Sequence, residues 1–371
     1  MTPRTTPPFR ADHVGSLLRP PDLIRARADH AAGIITTEQL RSAEDDAIRD
    51  AVRMQEETGL RSATDGEFRR TEWHTDFIKR LGGIREGAAA TPVPVLGGDQ
   101  PTTYRAYGTE VTGKVHLAET IFGDHFSFLA SAVTTAVPKL TIPSPSMAHF
   151  RADISASGYA DKDEFRADLA AAYAAEIAAL YALGCRYLQL DDTLFAFMND
   201  PAWRDSAAAS GVDPGSQHEI NLAVINQALA GRPPGLTVTV HMCRGNYRSL
   251  WFSSGGYDFV AEAVFSGLQV DGFFLEYDDD RSGTFEPLRF VPADKLVVLG
   301  LVTTKTPALE PKDTLKRRVD GAARYVDADR LCLSPQCGFA STVDGNALTQ
   351  AQQRAKLTLV VETAAELWGT V

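Results

Sequence analysis

The feature that most constrains this chain is a repeated pattern rather than a repeated sequence. Short apolar runs rich in β-branched residues occur at 138–146, 185–193, 236–240, 272–276, 295–302 and 330–333. Longer stretches of helical character, at 163–183, 216–230, 257–266, 312–325 and 348–368, fall between or after them, and Gly184 closes the first. Two further apolar segments, 9–20 and 60–70, come earlier. They are separated by a helical region for which Thr37-Glu38-Gln39-Leu40 marks a start and Gly59 a stop. Strands returned to the same sheet by helical crossovers pair in parallel and are covered on both faces, which is why they read as continuous apolar runs. Eight such units predict an α/β fold, a (β/α)8 TIM barrel. A doubly wound open sheet is the structural runner-up, but no GxGxxG follows the first strand and no Walker A lysine is present.

Residues 82–136 break the alternation with Gly82-Gly83, a Pro/Gly-rich patch at 91–101 and an alternating, hairpin-like stretch at 104–117. This region reads as an inserted hairpin or lid between the second and third strands of one catalytic domain spanning 1–371. With 37 Lys plus Arg against 48 Asp plus Glu, the net charge of −11 argues against a nucleic-acid or anionic-membrane partner. No run approaches the roughly 20 apolar residues of a membrane span, and the polar, proline-rich start has no signal-peptide core. Four scattered cysteines fit reduced thiols, so the expectation is a cytoplasmic protein acting on small molecules. A homo-oligomer is compatible with this sequence.

The chemistry gathers at strand ends. His241 and Cys243 lie two residues apart at the end of the fifth strand and project from one face. Glu276 closes the sixth strand, and Cys337 follows the eighth in the turn-rich Ser334-Pro335-Gln336-Cys337-Gly338. An isolated HxC is weak, because a buried cysteine is usually a small core hydrophobe. One His, one Glu and two Cys at three converging strand ends would make a closed tetrahedral zinc sphere. Cys185 and Cys332 lie before or inside apolar strands and belong to the core. Gly15-Ser16 ends the first strand, Asp65 and Glu67 the second, and Asp191-Asp192 the fourth. The carboxylates suit a substrate ammonium group; the alternative is that Asp65 and Glu67 pair with Arg69 and Arg70 in a solvated cluster, the more ordinary arrangement. Hydrogen-bonded structural roles are the default for His13, His74 and His149.

With these motifs together, the chain resembles the catalytic barrel of the cobalamin-independent methionine synthase family. The resemblance runs from His13-Val14-Gly15-Ser16 through Asp65-Gly66-Glu67-Phe68 and Leu188-Gln189-Leu190-Asp191 to His241-Met242-Cys243, Glu276 and Cys337-Gly338. It is closest in kind to the short, single-barrel members. The resemblance implies Zn2+ on His241, Cys243, Glu276 and Cys337, and homocysteine bound at its amino-acid end by Gly15, Ser16, Glu67 and Asp191, the last two also serving as catalytic carboxylates. It implies methyl transfer from a methylfolate-type donor to that small thiol. The chain departs from the family where Asp191-Asp192-Thr193-Leu194-Phe195-Ala196-Phe197 replaces Asp-Glu-Pro-Ala-Leu-Arg-Glu: the proline and the final glutamate, expected near the pterin ring, are absent. Related alkyltransferases of the epoxyalkane:coenzyme M transferase kind join a thiol to an epoxide, and here Arg244 or Arg19 would hold a sulfonate. Two other classes remain open on residues alone. One is a metal-free hydrolase using Asp191, Asp192 and His13; the other is a binding protein whose zinc only holds loops together.

Overall fold

Residues 4–87, 93–105, 108–150 and 152–371 are described by a computed structural model. The chain begins with α1 (Pro21–Ala31), α2 (Thr37–Thr58), β1 (Ser62–Ala63) and the short α3 (Thr75–Ile78). The excursion holds β2 (Gly82–Gly87), β3 (Val93–Val95), β4 (Thr102–Tyr104), β5 (Gly108–His116) and α4 (Gly123–Ala132). Regular alternation follows with β6 (Val137–Pro143), α5 (Pro145–His149), α6 (Lys162–Ala182), β7 (Tyr187–Asp192), α7 (Leu194–Phe197), α8 (Pro201–Ala209) and α9 (Pro214–Leu229). The chain ends with β8 (Thr237–Met242), α10 (Ala261–Gly267), β9 (Gly272–Glu276), β10 (Leu296–Val302), α11 (Lys312–Ala322), β11 (Leu331–Pro335) and α12 (Gln350–Trp368).

One parallel sheet runs β1-β6-β7-β8-β9-β10-β11. Every residue of β7, β9 and β11 is buried, the burial expected of strands covered on both faces. The sheet curls until its ends approach, in the manner of a TIM-like barrel. Ala11 pairs in parallel with Leu333 of β11, and Asp12 accepts a hydrogen bond from Ser62 Oγ of β1 at 3.0 Å. Eight laddered strands are predicted from the sequence, whereas the described residues contain seven plus this single bridge. The reason is chemical: beyond that bridge and its two backbone hydrogen bonds, side chains rather than a longer ladder tie down the first segment. Asp12 also accepts from Tyr187 Oη at 2.9 Å and pairs with the buried Lys139 at 3.2 Å, while Gly15 O accepts from Thr64 Oγ1 at 2.6 Å.

Helix α2 starts and stops as its sequence dictates. Thr36 and Gln39 form a reciprocal capping box, and Gly59 ends the helix in the left-handed region at φ 96°. Helix α1 is not anticipated by the pattern reading; its signal is Pro21 at the first helical position. In the excursion β2 pairs antiparallel with β5 and β3 with β4, and Leu96 bridges Trp251 in the loop after β8. Parts of the patch at 91–101 and of the hairpin at 104–117, namely 91–92 and 106–107, lie outside the described residues. Glu176 of α6 accepts from Ile121 N and Phe122 N, anchoring the far end of the excursion. No helix among the described residues is long and apolar enough to cross a membrane.

Candidate metal centre

His241 lies inside β8, Cys243 just beyond it, Glu276 at the end of β9 and Cys337 just past β11, so three strand ends deliver four side chains to one point. One ligand atom from each lies within 4.8 Å of the other three, and all four residues are buried. The two Sγ atoms are 3.2 Å apart, and Cys243 Sγ is 3.4 Å from Glu276 Oε1. These separations are close to the edges of a tetrahedron whose ligands stand about 2.0–2.3 Å from its centre. His241 Nδ1 donates to Phe274 O at 3.3 Å, which leaves Nε2 with its lone pair, buried and without a hydrogen-bond partner. Two thiolates and a carboxylate confined this closely would repel strongly in the absence of a cation. The donor set therefore fits a soft divalent metal, zinc above all.

Of the supporting residues, the sequence reading passed over Tyr257, Arg281 and Lys305 and gave Arg244 a different role. Tyr257 Oη donates to Met242 O and accepts from Glu276 N, tying β8 to β9. Arg244 is fully buried and donates to Gly255 O and Glu276 O, both at 2.9 Å, and to Tyr257 Oη at 3.2 Å. Glu276 Oε2 faces Arg244 at 3.7 Å and Arg281 at 3.8 Å, and Lys305 is buried nearby with its Nζ unpartnered. The hydrogen bond from Cys243 holds the Cys337 thiol well below its usual range, aided by His241, while the same contact and burial push Cys243 up. Burial opposes the charged form of His241, but the neighbouring Cys337, Asp191 and Glu276 raise it on balance.

His241, Cys243 and Cys337 line a cavity of about 400 Å³ together with Ser16, Glu67 and Asp191. Gly15 is not in its wall. Its role is close approach: at φ 143° a Cβ there would come within 2.7 Å of Thr141 Cγ2. Ser16 Oγ accepts from Ala340 N at 3.3 Å, which joins the first segment to the Cys337 loop. Asp65, Glu67 and Arg70 are buried rather than forming the solvated cluster expected of them. Glu67 sits at φ 61°, an uncommon backbone state for a side-chain-bearing residue, and its Oε1 accepts from Thr141 Oγ1 at 2.8 Å beside Arg70. Burial raises its carboxyl above the usual range. Asp191 stands opposite His241 in the β7–β8 register, with Oδ1 held by Gln189 Nε2 at 2.7 Å; burial pushes it up to about 7. Asp192 faces inward too, but Ser144 Oγ and Phe195 N already bind it. Arg19 is spent on the carbonyls of Thr342, Glu67 and Arg70, and neither it nor Arg244 lines the cavity.

Fold and site define a class: a curled parallel α/β barrel whose strand ends bring together a His, a Glu and two Cys that could hold a metal ion. Residues 140–366 match the family described as cobalamin-independent synthase, catalytic domain. An uncharacterized Bacillus subtilis protein, YxjG, is 49% identical, the alignment covering 98% of this chain and 96% of that one. The methionine synthase of Pyrococcus horikoshii is 26% identical over 88% of this chain and 85% of its own. A crystal structure from Listeria monocytogenes, titled as a candidate vitamin-B12 independent methionine synthase, superposes with TM-score 0.77 at 36% identity, covering 99% of this chain and 100% of that one. The chain belongs to the cobalamin-independent methionine synthase family.

Proposed function

We propose that this protein is a zinc-dependent methyltransferase that methylates the sulfur of a small thiol, homocysteine, to give methionine. The observation that carries this reading is the convergence of His241, Cys243, Glu276 and Cys337 on one point, with His241, Cys243 and Cys337 in the cavity wall. Those four residues would hold the ion. When bound there, Zn2+ supplies the Lewis acidity that keeps a thiol, ordinarily of pKa about 8.5, deprotonated at neutral pH.

The chain's own residues do the rest. Glu67 and Asp191 are the carboxylates for the substrate ammonium, and Ser16 offers a hydroxyl to its carboxylate. With Oδ1 of Asp191 held by Gln189, Oδ2 is the oxygen left for the ligand, and a pKa of about 7 lets it give or take a proton near neutrality. We read the whole described chain as one catalytic unit and the excursion as its lid, supported by Val93, Tyr104, Gly108 and Thr109 lining the cavity. The epoxide-and-sulfonate alternative loses support because Arg244 and Arg19 are committed to backbone carbonyls.

The test is metal content with activity. Purified protein is expected to hold about one zinc per chain, and Cys243→Ser or Cys337→Ser to lose both the metal and turnover while keeping the native circular dichroism spectrum. Full turnover by zinc-free protein would end this reading.

A further inference from the structure

The cavity has a second lobe, built of rings. Tyr247 and Tyr104 lie 5.1 Å apart by ring centroid, Tyr104 and Phe252 5.5 Å, Phe252 and Phe197 6.4 Å, Phe197 and Trp203 5.5 Å, and Trp203 and Phe150 5.3 Å. All six rings line the cavity that holds His241, Cys243 and Cys337, so they form one unbroken aromatic wall. The wall begins beside the metal donors. Gly245, at φ 87°, would place a Cβ 2.0 Å from Phe252, so the ring lies directly on the backbone two residues after Cys243. Among the described residues lining the cavity there is no Lys or Arg, while Glu67, Asp191 and Asp192 are all present.

We propose that the second substrate of this site is an onium methyl donor, a sulfonium or quaternary ammonium compound held against this wall. The proposal rests on the reading of the site as a thiol methyltransferase and names the donor that reading leaves open. Aromatic faces attract a methylated cation through their quadrupoles, most strongly where water is excluded. The described lining offers no cation for an anionic donor tail.

The chemistry agrees with the lining. The thiol has lost its proton to solvent before the transfer. Its sulfur then forms the new S–CH3 bond as the donor's CH3–S+ or CH3–N+ bond breaks. The bonding pair stays on the donor heteroatom, which leaves as a neutral thioether or tertiary amine, so no acid is needed at the leaving group. Thiolate and onium charges cancel as the bond forms, and an apolar wall hinders that step less than water does.

The experiment separates donor from acceptor. On the protein as purified, without thiol, tryptophan fluorescence and calorimetry would compare choline with its neutral isostere 3,3-dimethylbutan-1-ol, and then trimethylsulfonium and 5-methyltetrahydrofolate. Choline is expected to bind roughly tenfold tighter than the isostere, and Trp203→Leu or Phe252→Leu to remove about that factor for choline alone. Equal affinity for choline and the isostere would overturn the proposal. On zinc-loaded protein with homocysteine, methionine formed from S-methylmethionine identifies a sulfonium donor, and from glycine betaine an ammonium donor. Methionine formed from methyltetrahydrofolate without onium discrimination overturns the donor assignment and leaves thiol methylation standing. Onium discrimination with no thiol methylated by any donor overturns the thiol-methyltransferase reading and the donor role with it, leaving only an onium-binding wall.

Discussion

Arg244 shows how much of this site depends on a residue that touches no substrate. Its guanidinium is fully buried, binds carbonyls on two sides of the metal donors and stacks on Tyr257 at 4.4 Å. Replacing it with Met leaves those carbonyls and the Glu276 carboxylate without their cation, so Arg244→Met is expected to cost about 3–5 kcal/mol in urea unfolding. Arg244→Lys keeps the charge but not the planar fork and is expected to recover only part of that. A loss under about 1 kcal/mol for the Met variant would show that the guanidinium is not holding the loop. From the sequence, Arg244 reads as a sulfonate ligand, whereas its guanidinium is committed to backbone carbonyls and does not line the cavity. The convergence of His241, Cys243, Glu276 and Cys337 was legible because all four fall at strand ends, which a parallel barrel gathers on one face. Tyr257, Lys305 and the ring wall were not, since aromatic and basic residues occur everywhere and only tertiary contact gives them a role.

At the scale of elements, the strands from β6 onward are legible because their apolar runs are buried on both faces. The two N-terminal segments are less so, for beyond a short ladder and a single bridge they are held by side-chain hydrogen bonds that no periodicity reveals. Asp12 is the clearest case, accepting from Phe9 N, His13 N, Ser62 Oγ and Tyr187 Oη while paired with Lys139. Asp12→Ala would leave the Lys139 ammonium buried and unpaired and is expected to destabilise by about 3–5 kcal/mol. Hydrogen exchange provides a sharper check. The Leu333 amide, which donates to Arg10 O, should lose protection in the variant, while amides of β8 keep theirs relative to global unfolding. Equal loss at both would mean that Asp12 does not close the sheet. Adding Lys139→Met to Asp12→Ala should return part of the stability by removing the stranded charge.

For the whole molecule, burial of histidine sets the response to acid. His13 and His149 are buried and neutral: burial, reinforced by Lys139 for one and by Arg166 and Lys162 for the other, lowers them to about 4 and about 3. Both values lie below the unfolded value near 6.5, so as pH falls the unfolded chain takes up protons first. This contribution is full above about pH 6.5 and shrinks toward the folded values, by about 2 kcal/mol per histidine at pH 5. Urea midpoints should accordingly drop between pH 7 and pH 5, and His149→Gln should flatten the drop by roughly one histidine's share. An unchanged slope in that variant would assign the acid sensitivity to other groups.

The order of the metal ligands along the chain has a consequence in time. His241, Cys243 and Glu276 come from neighbouring strands already joined by Tyr257, while Cys337 arrives with β11, whose loop is secured by Ser16 from the opposite end of the chain. A growing polypeptide thus presents three of the four side chains until β11 is made and has met the Gly15-Ser16 segment. If the four hold zinc as proposed, capture of the metal by the full set is a late event of biosynthesis, and a filled site records that these two segments have met.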